Sequence, residues 1–171
     1  MRTVLSELGR SPSPAKIEHF EKLHKHNFAR RVSSLRTLPG ARELLAHLSR
    51  ENVPWAIGTS GDQKTVAMMI KPLRVPWSVP VVTGDDVAHA KPHPDVFLAA
   101  ANRLNVALPN CFVVGDSVWD LLAARRAKAI GIGLLSGGYG KAGLEQAGAY
   151  RVYKDPAEML QNIGEIGIDS E

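Results

Sequence analysis

Two spacings of hydrophobic positions alternate along the chain, and they predict a series of strands and helices. Short runs of β-branched and aromatic residues, typical of buried strands, occur at 53–58, 79–82, 112–114, 130–135 and 150–153. Between them, apolar residues recur three and four positions apart, which predicts amphipathic helices over 41–50, 62–70, 95–104, from 118 onward, and from 156 to about 163. Strands that alternate with helices predict an α/β fold, with a parallel sheet that carries helices on both faces.

The N-terminal part of the chain has a different pattern. Residues 1–10 resemble the end of a helix, and Ser13-Pro14 predicts the start of a second helix with proline at its first position. The polar positions of this second helix are predominantly basic. His24 and His26 are two positions apart and point to different sides of a helix, which disfavours a metal site. A basic face of this kind is typical of a solvated helix and less often of a nucleic-acid interface.

Composition and charge are those of a globular domain. Of 171 residues, 44% are hydrophobic and 22% are charged, which is close to the globular average. The formal net charge of +4 permits anionic small ligands and does not require nucleic acid. No apolar run reaches the roughly 18 residues of a membrane span, and the single cysteine, Cys111, excludes an internal disulfide. We therefore expect a cytoplasmic protein with no membrane partner.

The stretch from Cys111 to Ala127 carries the first candidate chemistry. A buried strand ends at Gly115, a sharp turn follows, and a helix begins. In open parallel sheets such turns lie at the carboxyl edge of the strands, where ligands bind. Asp116 lies in the turn and Asp120 one helical turn later, so both carboxylates can face one place, as a hard cation such as magnesium requires. The alternative is structural: Asp116 caps the helix and Asp120 is a solvated acid of its first turn.

Two further loops follow strands and carry polar groups. Thr59, Ser60 and Gly61 come between a strand and a helix, which is an arrangement that can bind an anion. Taken alone, an ordinary helix cap is the simpler interpretation of these residues. Lys91 lies in the segment AKPHPD, where two prolines fix an extended loop. A lone lysine is usually a surface residue, but one held by a rigid loop is a candidate for a fixed positive charge.

Together these segments resemble the haloacid dehalogenase superfamily, in particular its small phosphatases of the phosphoglycolate phosphatase type. The order carries the resemblance: AIGTS, then AKPHPD, then GDSVWD. The similarity extends from about Leu38 to Leu160. It implies a Rossmann-like core domain over residues 38–164, a remnant of a helical cap over 1–37, and a frayed tail over 165–171.

The resemblance also implies how a phosphate would be held. Thr59 would hydrogen-bond a phosphate oxygen, assisted by the backbone N–H groups of Ser60 and Gly61. Lys91 would neutralise the charge of the phosphate and of the nucleophile. Phosphoryl transfer depends mainly on positioning and charge neutralisation, which agrees with these roles. The implied substrate is a small phosphorylated metabolite, and we expect no nucleic-acid partner.

The metal site and the nucleophile are the remaining parts of the resemblance. Asp116 would bind Mg²⁺, and Asp120 would support the ion directly or through water. The family's nucleophile and general acid lie in a DxDGT motif on the central strand of the sheet, and this sequence contains no Asp-x-Asp. The nearest acidic pair, Asp85-Asp86, lies in the loop before the lysine motif. The sequence therefore predicts a family member whose central N-terminal strand is missing.

A missing central strand would have several consequences for this chain. As this chain alone, a phosphatase would be inactive and would bind Mg²⁺ weakly. The segment would be missing because the start is placed too far downstream, because the chain is truncated, or because another chain supplies it. The gap in the sheet would be closed by direct pairing of its two neighbours or by a segment of another copy, which predicts self-association. The alternatives are a non-catalytic relative that binds phosphate or a protein, and a basic nucleic-acid-binding module.

Overall fold

The computed structural model describes residues 13–31 and 34–168. The chain divides into two compact units, Met1–Arg36 and Thr37–Glu171. The described helix of the first unit is α1 (Pro14–Arg31). The main elements of the second unit are, in chain order, α2 (Ala41–Arg50), β1 (Ile57–Gly58), α3 (Gln63–Ile70), β2 (Val81–Val82), α4 (Asp95–Leu104), β3 (Phe112–Gly115), α5 (Val118–Arg126), β4 (Ile130–Leu134), α6 (Lys141–Ala147), β5 (Ala149–Tyr153) and α7 (Pro156–Gln161).

The first unit contains the basic helix predicted from Ser13-Pro14. Pro14 is its first residue, and the Ser13 hydroxyl oxygen accepts a hydrogen bond of 3.4 Å from the Lys16 N–H. The helix predicted over residues 1–10 lies outside the described residues, and the assignment of this unit to a helical cap stays a prediction. Among the described helices, neither α1 nor any other combines the length and the apolar character that a membrane crossing requires.

The strands of the second unit form two parallel ladders. One ladder pairs β1 with β2, and the other has the order β3-β4-β5. The register places Ile57 opposite Val81 and Phe112 opposite Ile130. The alternation of parallel strands and helices confirms the predicted α/β class. The first two strands are shorter than predicted. Only the last two residues of each predicted strand pair with each other, Ile57 with Val81 and Gly58 with Val82.

The two ladders are separate from each other among the residues that the structure describes. Within the part of the chain that the structure describes, no backbone ladder joins β1 to β3. The expectation that these two strands pair directly is therefore wrong. Val114 of β3 is 42% exposed, whereas the strands of a parallel sheet are normally covered on both faces. Among the described residues, the edge of β3 opposite β4 therefore has no paired strand, and one face of β3 is only partly covered at Val114.

Glycine and aliphatic residues alternate along β4, and the two faces of the sheet differ accordingly. A Cβ atom on Gly131 would lie 3.0 Å from Leu121 of α5, and Gly133 lies against α6 in the same way. The missing side chains therefore let these helices approach the sheet closely. Ile132 and Leu134 point to the opposite face and pack in a core with residues of α2 and α7. Helices on both faces were predicted, and this arrangement confirms them.

A shared hydrophobic core connects the two ladders although their strands do not pair. Val82 of β2 and Val113 of β3 belong to the same buried cluster. Helices α4 and α5 supply most of the remaining members. These are Val96, Phe97, Ala100, Ala101, Leu108, Ala123 and Ala124. The packing holds the carboxyl ends of β1 and β3, and the loops that follow them, within one unit.

The C-terminal segment differs from its prediction. Asp155 caps α7 as expected, because its carboxylate accepts hydrogen bonds from the N–H groups of Ala157 and Glu158. The chain then forms a further 3₁₀ helix, Ile163–Ile166, and Ile166 is only 6% exposed. The prediction of a frayed tail from residue 165 is wrong as far as residue 168, because burial of these aliphatic side chains fixes the segment on the core.

Candidate active site

An ion pair links two of the residues expected at the site. The Lys91 ammonium donates a hydrogen bond of 2.6 Å to Oδ1 of Asp120, and the two side chains are only 17% and 10% exposed. The loop that carries the lysine is also held from the other side, because the Arg126 guanidinium donates to the Pro92 carbonyl oxygen at 2.8 Å. Lys91 is therefore held in a defined place, and its role in binding phosphate stays a prediction.

The start of α5 is built around Asp120. Ser117 is the N-cap residue, and its hydroxyl oxygen accepts from the Asp120 N–H. Oδ2 of Asp120 in turn accepts from the Ser117 hydroxyl at 2.6 Å and from the Ser117 N–H at 3.2 Å. The structural alternative, with Asp116 as the cap and Asp120 as a solvated acid, is wrong, since Asp120 is 7% exposed. The Ser-x-x-Asp spacing is the signal in the sequence that could have identified this capping box.

Gly115 makes room for this arrangement. A Cβ atom at Gly115 would lie 2.3 Å from Cβ of Asp120, a distance that real Cβ atoms essentially never show. A side chain at this position would therefore displace the carboxylate that binds Lys91. The glycine that ends β3 is required by close packing at the site, in addition to ending the strand.

Asp116 has a different environment from Asp120. Its side chain is half-buried, and among the described residues no other residue donates a hydrogen bond to its carboxylate. Burial raises the pKa of Asp116 above its ordinary value, and the charge of Asp120 raises it further. The loop after β4 closes against the same residue, because a Cβ atom at Gly137 would lie 2.0 Å from the Asp116 carbonyl oxygen.

These two environments decide which carboxylate could hold a metal ion. Magnesium prefers oxygen ligands and is usually bound through one or two carboxylates, with water and phosphate completing its octahedron. The half-buried carboxylate of Asp116, to which no other described residue donates a hydrogen bond, fits a direct ligand of this kind. Both oxygens of Asp120 are occupied by Lys91 and Ser117. The resemblance implies that Asp120 supports Mg²⁺ either directly or through a water molecule. Because its two oxygens are already engaged, support through water fits this geometry better.

The loop after β1 folds on itself. The Gly61 N–H donates a hydrogen bond of 3.2 Å to the Thr59 hydroxyl oxygen, and the Gly61 carbonyl accepts from the Gly84 N–H at 2.8 Å. The Gly61 N–H is thus engaged within the loop, and its binding to phosphate stays a prediction. The Thr59 hydroxyl proton stays free to be donated, since the oxygen is used as an acceptor. Ser60 is exposed, and its N–H has no backbone acceptor among the described residues.

The N-terminus of α3 is already satisfied by carboxylates. Asp62 accepts from the Thr65 N–H, and Asp85 accepts from the Gln63 N–H at 2.8 Å. The helix N-terminus that follows this loop is therefore not an open anion site. Phosphate binding in this loop would depend on the Thr59 hydroxyl and on the Ser60 N–H.

The acidic pair before the lysine loop has structural roles. Asp85 caps α3 as described, and Asp86 forms a capping box with Thr83 and an ion pair of 2.7 Å with Arg103. Hydrogen bonds from the backbone and the hydroxyl of Thr83, and then from Arg103, lower the pKa of Asp86 to about 2. This fits the expectation that neither residue replaces the missing nucleophile.

Phe97, which the sequence analysis did not single out as a site residue, connects the loops. A Cβ atom at Gly58, the residue before Thr59, would lie 3.3 Å from its ring. The Lys91 ammonium lies 5.4 Å from the centroid of the same ring. The end of β1, the lysine loop and the start of α5 are thus joined by consecutive contacts, through Phe97 and through Asp120.

The comparisons with known proteins agree with this architecture. Residues 5–128 match the family model of haloacid dehalogenase-like hydrolases. The chain is 34% identical over 112 residues to hexitol phosphatase A of Escherichia coli, covering 66% of this chain and 49% of that protein. It is 32% identical over 129 residues to phosphoglycolate phosphatase of Escherichia coli, covering 74% and 50%. A hydrolase structure from Pseudomonas syringae superimposes with a TM-score of 0.90 at 43% identity, covering 96% of this chain and 76% of that one.

The sequence match, the two parallel ladders and the loops at their carboxyl edge define one class of protein: the chain belongs to the haloacid dehalogenase-like hydrolases. The relatives that it matches include proteins named hexitol phosphatase A and phosphoglycolate phosphatase. The matches cover 49% and 50% of the length of those two phosphatases.

Proposed function

We propose that this chain carries the phosphate-binding and magnesium-binding side of a phosphate monoester phosphatase. The observation that carries the proposal is the largely buried Lys91–Asp120 ion pair at the head of α5, beside the carboxylate of Asp116, to which no other described residue donates a hydrogen bond. A fixed ammonium group and a free carboxylate provide opposite charges for a phosphate dianion and for its counterion. The names of the relatives, which are phosphatases of small phosphorylated metabolites, support the same substrate class. A cytoplasmic location belongs to the same proposal.

In this proposal each residue acts on the phosphate by position and charge. The Thr59 hydroxyl and the Ser60 N–H donate to phosphate oxygens, and the Lys91 ammonium neutralises the dianion. Asp120 keeps Lys91 in place, and Asp116 holds Mg²⁺. Further charge on the phosphate oxygens would be neutralised by Mg²⁺ when the ion is bound. Preorganised charges of this kind lower the barrier because they need no rearrangement during the reaction.

In this proposal the covalent nucleophile is not among the residues of this chain. Asp120 is occupied by Lys91 and Ser117, and Asp85 and Asp86 are used in helix caps. An aspartate on a strand between β1 and β3 would lie at the same edge of the sheet as Lys91 and Asp116. We therefore infer that the chain is inactive alone and that an aspartate-bearing strand in this gap would complete it. If no such strand exists, the chain is a phosphate-binding relative without catalysis.

Binding of phosphate and magnesium tests the site without requiring turnover. We expect amide NMR shifts confined to the Thr59 loop, the Lys91 loop and the turn at Asp116, with dissociation constants on the order of millimolar because part of the site is absent. Lys91→Gln should remove the phosphate response, and Asp116→Asn should remove the magnesium response. Lys64→Gln, which changes an exposed lysine of α3, serves as the control and should leave both responses unchanged. Shifts scattered away from these loops would contradict the assignment.

The open edges of β1 and β3 lead to a prediction about assembly. Unpaired backbone groups beside an apolar residue such as Val114 favour pairing with another strand. We expect the isolated chain to self-associate at micromolar concentration or to unfold over a broad temperature range. Analytical ultracentrifugation and calorimetry measure both, with Val114→Lys expected to shift the sample toward monomer. A strictly monomeric wild-type chain with one sharp transition would refute this expectation.

A further inference from the structure

Three side chains with metal-ligand chemistry meet on the outer side of the lysine loop. One ligand atom of each of His89, His93 and Asp95 lies within 4.8 Å of the other two. The two imidazole rings are 4.8 Å apart between centroids and tilted by 31°. Oδ2 of Asp95 accepts hydrogen bonds from the His89 ring nitrogen Nδ1 at 2.9 Å and from the His89 N–H at 3.1 Å. None of these residues takes part in the phosphate site proposed above.

The backbone explains why these side chains converge. The His93 N–H donates to the Ala90 carbonyl at 3.1 Å and closes a tight turn, so the residues that flank the turn approach each other. Asp95 follows directly as the first residue of α4. Two prolines in this segment restrict the backbone dihedral angles further. The three side chains therefore start close together before any ligand is present.

The two sides of this loop are used differently. Lys91 and Pro92 are half-buried and are tied to Asp120 and Arg126. His89 and His93 are exposed, so a ligand can reach both rings, and the hydrogen bond of the His89 ring is made to Asp95, another member of the same cluster. A backbone fixed from the inside with accessible donors on the outside is favourable for binding, because little conformational entropy is lost.

We propose that His89, His93 and Asp95 form a binding site for a first-row divalent transition metal ion of the zinc class, with water completing the coordination. Two imidazole nitrogens and one carboxylate oxygen are ligands of Zn²⁺, Co²⁺, Ni²⁺ and Cu²⁺, whereas Mg²⁺ prefers an all-oxygen set. Zinc bonds of about 2.0–2.2 Å place tetrahedral ligands roughly 3.4 Å apart. The ligand atoms would therefore move by about an ångström, which rotation of the exposed rings permits.

The proposed metal site flanks Lys91, so a bound ion would affect the loop that carries this lysine. His89 and His93 each lie two residues from the lysine, one on either side. A metal ion bound to both would hold the turn from outside while Asp120 holds the ammonium from inside. The site is nevertheless defined by its own ligands and does not depend on whether the phosphate site is correctly assigned.

Zinc titration of the full, tag-free and metal-stripped chain tests the proposal. Calorimetry in excess Mg²⁺ should show one Zn²⁺ per chain, and bound Co²⁺ should give the absorption spectrum of a tetrahedral site with nitrogen and oxygen ligands. His93→Ala, His89→Ala and Asp95→Asn should each weaken Zn²⁺ binding by about tenfold or more. His19→Ala, which removes an exposed histidine of α1, and Asp116→Asn should leave the affinity unchanged.

The outcomes separate this site from the others. If His93→Ala and His89→Ala bind Zn²⁺ as the wild type does, the proposal is wrong. The same holds if Asp116→Asn removes the binding, because the ion would then occupy the site proposed for magnesium. Circular dichroism of each variant establishes that it is folded, and His93→Gln provides a second, more conservative test at that position. Failure of phosphate binding in the NMR experiment would leave the zinc result unaffected.

Discussion

The purified 171-residue chain is expected to release no phosphate above background from p-nitrophenyl phosphate or phosphoglycolate in the presence of Mg²⁺. The supporting charges of Lys91 and Asp116 can bind and polarise a phosphate ester. They cannot form the aspartyl-phosphate intermediate that divides the reaction into two easier steps. Loss of a covalent nucleophile can lower turnover by about a millionfold. Asp116 is a poor substitute, since binding a metal ion uses its lone pairs.

The matching positive experiment adds a strand that bears the family's first motif. An upstream extension that contains an in-frame DxDGT segment, if the gene has one, should restore magnesium-dependent turnover. In the extended protein, Asp116→Asn and Lys91→Met should each remove most of the activity, while Lys64→Gln should not. Magnesium-dependent turnover by the 171-residue chain alone, abolished by Asp116→Asn and absent from a mock purification, would show that the nucleophile lies among its own residues.

Asp120→Asn should lower the free energy of unfolding by about 2–4 kcal/mol, because it leaves the ammonium of Lys91 without its anionic partner in a site that is 17% exposed. For a chain of this size such a loss corresponds to a decrease in melting temperature of roughly 5–15 °C. Urea or thermal denaturation monitored by circular dichroism measures the change. The size of the effect comes from the unpaired charge, since asparagine preserves the volume of the side chain.

A double-mutant cycle separates this ion pair from the helix cap. Lys91→Met in the Asp120→Asn background should recover a large part of the lost stability, because the unpaired charge is then removed as well. Glu145→Gln is the control: it removes an exposed pair with Lys141 at 3.8 Å, for which we expect a change below about 0.5 kcal/mol. Purely additive effects of Asp120→Asn and Lys91→Met would show that their contact contributes no coupling energy.

The sequence by itself determined the fold class and the positions of most elements. The helices over 41–50 and 95–104 occur where their hydrophobic periodicity predicts them, because one apolar face per helix is sufficient to specify burial. The order of the three motifs was also sufficient to indicate the family. These features depend on local spacing along the chain, which a single sequence records directly.

Only the tertiary structure decided how the acidic residues divide their roles. Asp116 and Asp120 are equivalent in the sequence as two carboxylates near a strand end. In the structure, Asp120 is occupied by Lys91, which is 29 positions away, while Asp116 is half-buried with a raised pKa. Long-range contacts of this kind are not visible in local spacing, and the desolvation that raises a pKa depends on every element packed around the group.

The same reason explains the remaining differences. The Gly61 N–H donates a hydrogen bond to the Thr59 hydroxyl. The N-terminus of α3 is capped by Asp85, which accepts a hydrogen bond from the Gln63 N–H, 22 positions away in the sequence. The two parallel ladders share one hydrophobic core without pairing between β1 and β3. Hydrophobic periodicity specifies which residues are buried, whereas pairing of strands and occupation of helix ends depend on which distant segments meet in space.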